Sequence, residues 1–140
     1  ALLYAAARAQ LVEEALDPLL AGGSLILLDR FIDSSLAYQG GGRQLGVAAV
    51  RAINDFGTGG LTPDRTLLLS VTTQVGRNRS LGRAAGLDRL ERQSDDFFDR
   101  VAAAYRELAA AEPDRIRVID AAQEPPEVLA DALAAVADLL

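Results

Sequence analysis

The sequence has 140 residues, half of them hydrophobic, which is enough for a single domain with a buried core. Fourteen basic residues against twenty acids leave a net charge of −6, which argues against a general nucleic-acid binder or a membrane-surface protein. Cysteine and histidine are absent, which excludes disulfides, thiol chemistry, the usual Cys/His zinc sites and any mechanism that needs imidazole as its base.

Ala1 to Ala21 reads as a helix, with Leu11, Ala15 and Leu19 on one face. Pro18 should bend or restart it, and Gly22-Gly23 should end it. Ser24 to Arg30 is a short apolar run closing on two opposite charges, the pattern of a parallel strand buried on both faces. Residues 31–44 form a polar loop or short helix that ends in a flexible Gly40-Gly41-Gly42. Val47 to Phe56 is predicted helical, stopped by Gly57 through Gly60. Pro63-Asp64 turns the chain into a second apolar strand, Arg65 to Val71, and Thr72 or Thr73 can cap the next helix. An arginine-bearing stretch runs from Arg77 to Arg92, interrupted by Gly82 and Gly86.

Ser94 to Ala111 is a helix with Phe98, Ala102, Tyr105 and Ala109 at helical spacing, broken by Pro113. Arg115 to Ala121 is a third strand. Pro125-Pro126 then starts a last helix through Leu140, whose inner face is Val128, Leu129, Ala132, Leu133 and Val136. The alternation of helix and strand predicts an α/β fold built on a parallel sheet, spanning residues 1–140 as one domain. Lysine is absent, which reads as a compositional bias; three strands are few for such a sheet, and the chain opens mid-helix without methionine. It is therefore expected to be part of a longer chain that supplies further N-terminal elements. No run approaches ~20 apolar residues and no charged-then-apolar leader opens the chain, so a cytoplasmic setting is expected.

Ligands of open parallel sheets gather beyond the carboxyl ends of the strands. Those ends are Asp29-Arg30, Ser70 to Thr73, and Asp120 to Gln123. A carboxylate leaving a strand can hold a hydrated magnesium ion, and a neighbouring guanidinium can brace phosphate oxygens. The same pair is equally readable as a structural ion pair. Tyr4 and Arg8 lie four residues apart on one helix face, an aromatic plate and a donor for a planar ligand; a surface cation beside a ring is the commoner meaning of such a pair. Arg77, Arg79, Arg83, Arg89 and Arg92 make a locally basic stretch in an acidic chain, suited to closing over phosphates. Phe97, Phe98 and Tyr105 read as core. Ser34 and Ser35 can cap a helix as readily as touch a ligand.

The run Asp-Arg-Phe-Ile-Asp-Ser-Ser-Leu-Ala-Tyr-Gln-Gly, Asp29 to Gly40, resembles the signature segment of bacterial thymidylate kinases. Leu2 to Gln10 resembles the family's base-reading helix. Thr62-Pro63-Asp64 with its strand and Val75-Gly76 resemble the next strand and helix. Leu87 to Glu91 resembles the end of the family's LID segment, here 77–92, and Arg115 to Ala121 resembles its last strand. The resemblance covers essentially the whole chain, in order. It implies a P-loop-kinase-like, three-layer α/β fold whose N-terminal strand, P-loop and Arg-Glu-Pro-Gly segment belong upstream of Ala1.

Carried over residue by residue, the resemblance implies that Tyr4 stacks on thymine and Arg8 donates to its carbonyl edge. Asp29 would sit by Mg²⁺, Arg30 would bridge the phosphates, Ser35 would face the base, and Tyr38 would pack at the deoxyribose with Gln39 nearby. Arg79, Arg83 and Arg89 would be catalytic LID arginines, and Ala121, Ala122 and Gln123 would pass the adenine nucleotide. The sequence departs from the pattern at Tyr4, where phenylalanine is usual, and at Ala7, often acidic. It departs also at Ser70, commonly aspartate, and at Ala84-Ala85 in the LID. The implied activity is transfer of the γ-phosphoryl group of ATP to dTMP, in dTTP biosynthesis, by a homodimer without nucleic-acid or membrane partners. The acceptor phosphate is already ionised, so the lack of histidine is no obstacle. Without the P-loop and its lysine, the 140 residues alone are expected to be inactive. Another P-loop nucleoside or metabolite kinase, or a noncatalytic domain of the same fold, are the alternatives.

Overall fold

The computed structural model describes residues 1–72, 74–76 and 93–140, which divide into two compact units, Ala1–Thr62 and Pro63–Leu140. The first unit is helical. Its alanine- and leucine-rich opening forms α1 (Leu2–Leu11), which passes through a π-helical turn (Val12–Leu16) into α2 (Asp17–Ala21). The expected disturbance at Pro18 takes this form: the ring stands at the start of α2, where its missing N–H costs least. Gly23, at φ +76°, closes the helix, with its N–H donating to Leu20 and that of Ser24 to Leu19.

The inward stripe of this helix is Ala5, Val12 and Leu16, whereas Leu11 and Leu19 are exposed. In a segment this rich in Ala and Leu several stripes are equally apolar, so periodicity alone does not choose between them. A larger correction concerns Ser24 to Arg30, which forms no strand. Every other element of its unit is a helix, so no neighbouring strand is there to complete a ladder. Leu27 is accordingly 94% exposed, and Ile26 alone of the run packs inward, against a core of Val12, Leu16, Phe31 and Ile32.

Of the loop and the short helix expected over residues 31–44, the helix is what forms, and it runs through the glycines expected to be flexible. α3 (Ile32–Ser35) continues as a π-helical segment (Leu36–Gly42), with the Arg43 N–H donating five residues back to the Tyr38 carbonyl at 2.9 Å. Gly40 and Gly42 are buried there. A Cβ on Gly40 would stand 2.9 Å from the Val47 Cα, so glycine at 40 lets this segment lie against α4 (Val47–Thr58). Within the Gly57–Gly60 run expected to stop α4, Gly59, at φ +61°, is the stop, while Gly57 still lies in the helix and approaches the backbone of Ala5 on α1.

Among its described residues the second unit holds two parallel strands, β1 (Thr66–Ser70) and β2 (Ile116–Asp120), in register from Thr66 opposite Ile116 to Ser70 opposite Asp120. The sheet thus contains two of the three expected strands. α5 (Asp95–Ala111) starts at Ser94, whose hydroxyl accepts the Phe97 N–H, and α6 (Pro125–Val136) starts on a Glu124/Glu127 capping box. Both helices pack on β2, burying Ile116 and Ile119.

The buried stripe of α5 is Phe97, Val101, Ala104 and Leu108, one position from the expected series, although Ala109 is buried as foreseen. On α6, Val128, Ala132 and Val136 are half-buried while Leu129 and Leu133 are exposed, and the helix ends at Val136 rather than Leu140. Leu69 and Val118 of the strands are exposed as well.

Gly40→Ala should therefore destabilise the protein by about 1–3 kcal/mol, because the new methyl meets backbone rather than a movable side-chain tip. Thermal or urea unfolding checks it; an unchanged midpoint would refute the close-approach account.

Candidate functional site

The centre of the first unit's polar chemistry is Arg8. It sits on α1 with Ala5 and Val12 on the buried side, so its stem runs along the core and its guanidinium reaches α3 and α4. Nη1 donates to the Asn54 side-chain oxygen on α4. Nη2 donates to the Ser35 Oγ at 3.0 Å and to the Phe31 carbonyl at 3.3 Å. The guanidinium carbon also lies 5.4 Å from the centre of the Phe31 ring, a cation–π contact. Partial burial lowers the pKa of Arg8 from its usual value through desolvation, and the acceptors around it favour the charged form.

Tyr4, one turn back on α1, is 65% exposed. An open aromatic ring and a fixed guanidinium on one helix thus stand as the sequence spacing required. Ser35 is buried, and its hydroxyl meets Arg8 rather than capping a helix.

Asp29 and Arg30 form the bend that leads into α3, and both are exposed. Arg30 has φ +69°, a left-handed conformation that costs an ordinary residue of order 1 kcal/mol and is over-represented at functional sites. Its guanidinium lies 5.2 Å from the centre of the Tyr38 ring. Gln39 is half-buried beside Tyr38 in the π-helical segment, a widened turn of the kind often found at functional sites. Tyr4, Arg8, Asp29, Arg30, Ser35, Tyr38 and Gln39 all belong to the first unit, on α1, the bend at 29–30 and the helix after it.

In the second unit, a shallow cleft of about 460 Å³ lies at the carboxyl ends of the strands, between Ser70, Thr72 and Val75 on one side and Val118, Asp120 and Ala122 on the other. The Ala121 N–H donates to the Ser70 carbonyl at 2.9 Å, tying the two strand ends together. Asp120 accepts the Ala122 N–H at 2.8 Å, and the Gln123 amide bonds both the Asp120 carbonyl and Asp131. Asp120 is thus engaged in turn chemistry. Thr72 is the residue that caps the helical turn at 74–76, accepting the Val75 N–H at 3.3 Å. Arg77, Arg79, Arg83, Arg89 and Arg92 lie outside the described residues.

Two contributors to the Arg8 site went unnoticed in the sequence, Asn54 and Phe31. Asn54 was detectable in principle, as an amide in the stripe Val50, Asn54, Thr58 that α4 turns inward. Phe31 contributes its carbonyl and its ring, and a backbone carbonyl leaves no mark in a sequence.

The second unit is an α/β arrangement around a parallel strand pair, and the first presents a fixed guanidinium beside an open aromatic ring. The family described as Thymidylate kinase matches residues 1–132. The thymidylate kinase of Oenococcus oeni is 48% identical over 134 residues, covering 95% of this chain and 63% of its own length. That of Halorhodospira halophila is 46% identical across 100% of this chain and 65% of its own. That of Leuconostoc citreum is 44% identical, again across the whole chain and 66% of its own. The chain belongs to the thymidylate kinase family. It spans just under two thirds of the length of these three relatives.

Replacing Arg8 by Met would keep the stem's packing but leave the acceptors on Asn54 and Ser35 buried without their donor. Stability should fall by about 2–3 kcal/mol, read by urea unfolding, more than a surface arginine would cost. A loss below ~0.5 kcal/mol would mean that the guanidinium is not a structural hub.

Proposed function

We propose that this chain is the acceptor-binding and LID-bearing part of a thymidylate kinase, transferring the γ-phosphoryl group of ATP to dTMP to give dTDP and ADP. The observation that carries this reading is the Arg8 guanidinium, held by Ser35, Asn54 and Phe31 one helical turn from the exposed ring of Tyr4. Thymine has one planar face to stack on and carbonyl oxygens at its edge, which is the ligand chemistry such a pair suits. In this reading Tyr4 stacks on the base and Arg8 donates to it. Ser35 serves the base side of the site, and Tyr38 with Gln39 borders the deoxyribose. Arg30 reaches the phosphates. Its left-handed backbone supports that role, since strained residues cluster at functional sites.

Phosphoryl transfer to an ionised phosphate needs alignment and charge neutralisation rather than a general base. Arginine is the chain's sole basic side chain, and Arg79, Arg83 and Arg89 are proposed to supply positive charge to the transferring group. Asp29 is the proposed partner of Mg²⁺. It is an exposed carboxylate beside Arg30, and among the described residues no cluster of three possible ligands is present. One carboxylate fits Mg²⁺, which keeps several waters and binds chiefly to substrate phosphates. When bound, the ion neutralises phosphate charge.

Ala121, Ala122 and Gln123 are proposed to border the adenine nucleotide, supported by their place at a strand's carboxyl end. The fold we propose is the three-layer P-loop kinase arrangement, with residues 1–140 in one domain and 77–92 as its LID. A cytoplasmic homodimer completes the reading. No helix among the described residues is long and apolar enough to cross a membrane.

In the whole protein, ATP-dependent formation of dTDP should favour dTMP over thymidine and over other nucleoside monophosphates; preference for thymidine would sink the assignment. The 140 residues alone contain no lysine to contact the phosphates, and should bind dTMP weakly without turnover. Arg30→Gly tests the strained residue. Glycine accepts φ +69° freely, so unfolding free energy should change by less than about 1 kcal/mol while kcat falls at least about tenfold. Equal losses of stability and activity would assign Arg30 to the scaffold instead.

A further inference from the structure

Asn54 is 3% exposed, a polar residue in the stripe that α4 turns toward the interior. A buried amide is tolerated when both its ends are hydrogen-bonded. Its nitrogen donates to the Val50 carbonyl at 2.7 Å, one turn back on its own helix. Its oxygen accepts from Nη1 of Arg8. The first bond settles the orientation of the second: with the nitrogen turned to Val50, the oxygen is the end that meets the guanidinium. The opposite orientation would set donor against donor.

The acceptors around Arg8 occupy one hydrogen of Nη1 and both of Nη2. The other Nη1 hydrogen and the Nε–H meet no acceptor among the described residues. An arginine side chain otherwise has several rotatable bonds, and its planar donor fork is useful only when its plane is fixed. Ser35 and Phe31 hold Nη2 from the side of α3. Asn54 holds Nη1 from α4, so the plane is gripped at two of its corners from two different elements.

We propose that Asn54 is a positioning residue for nucleobase recognition. It fixes the plane of the Arg8 guanidinium so that one of the N–H groups left over is presented to the carbonyl edge of the base. Asn54 acts through Arg8 and does not itself touch the substrate. The inference rests on the proposed role of Arg8, and its test separates the two.

Asn54→Leu, which keeps the volume and removes the acceptor, is compared in the whole protein with Arg8→Ala and with the double substitution. dTMP and ATP are each titrated against a saturating amount of the other. Asn54→Leu should raise KM for dTMP about tenfold, the loss expected for one hydrogen bond to a charged group, and leave KM for ATP unchanged. In the Arg8→Ala background it should have no further effect on KM for dTMP, because the residue through which it acts is gone. Asn54→Asp retains an acceptor oxygen and should keep KM within about threefold of the parent.

If Arg8→Ala raises KM for dTMP and Asn54→Leu does not, Asn54 is a scaffold residue and the proposal is overturned. An equal effect of Asn54→Leu with and without Arg8 overturns it too. If Arg8→Ala itself leaves KM for dTMP unchanged, the base-reading role of Arg8 fails first and the positioning role goes with it. Should the leucine variant not fold, Asn54→Ala provides the same comparison.

Discussion

A guanidinium drawn halfway out of water is the constraint around which the first unit is organised. Arginine cannot shed its proton at any ordinary pH, so a buried fraction of its surface must be matched by acceptors. Arg8 finds them on elements far apart in sequence: the carbonyl of Phe31, the hydroxyl of Ser35 and the amide oxygen of Asn54. Each of those groups is fixed by its own surroundings, Asn54 by Val50 and Ser35 by burial. The cation therefore ties α1, α3 and α4 together and is itself held in one plane. Such an arrangement costs stability if one partner is lost, and it yields a donor whose direction is set before any ligand arrives.

The approach of the helices makes that reach feasible. α1 presents Ala5 and Ala9 to Gly57 on α4, which brings the two backbones close at Ala5. At the other end of α4, Gly40 meets Val47 at a separation no Cβ would allow. Small residues here shorten distances between backbones rather than loosen the chain. The π-helical segments add a local widening on both sides, before Pro18 and around Tyr38. The second of them carries Tyr38, whose ring lies beside the strained Arg30, so irregular backbone and candidate substrate contacts coincide.

The second unit shows a different logic. Two short parallel strands are tied at their carboxyl ends by a bond from Ala121 to Ser70, and the helices on either side of β2 in the chain bury Ile116 and Ile119 of that strand. Arg65 anchors the opposite end, donating to the Asp114 carbonyl and to Asp138 near the C-terminus. Strand ends fixed in this way keep the loop at 121–123 in a defined place, with Asp120 and Gln123 folding the turn back on itself. A loop of that kind is a natural border for a ligand, because its backbone is set by the sheet and not by the ligand it binds.

Much of this architecture was readable from composition and local pattern. Gly22-Gly23 as a helix stop, Ser94 as a helix start, Pro113 as a break and Pro125-Pro126 as a beginning are local events governed by one or two residues, and they occur where expected. The segments of β1 and β2 were likewise legible as apolar runs between turn signals, and the Asp29 to Gly40 run pointed to the family. The expectations that failed depended on distant partners. Ser24 to Leu28 has the composition of a strand, but a strand exists only with a neighbour to bond to.

The buried stripes of α1 and α5 sit one position from their expected places, because alanine leaves several faces equally apolar and packing selects among them. Tyr4 and Arg8 were visible as a pair through helical spacing, which is a property of the sequence alone. That Arg8 would be gripped by Asn54, 46 residues away, and by the Phe31 carbonyl was decided by tertiary structure, since only folding brings a donor's partners within hydrogen-bonding distance.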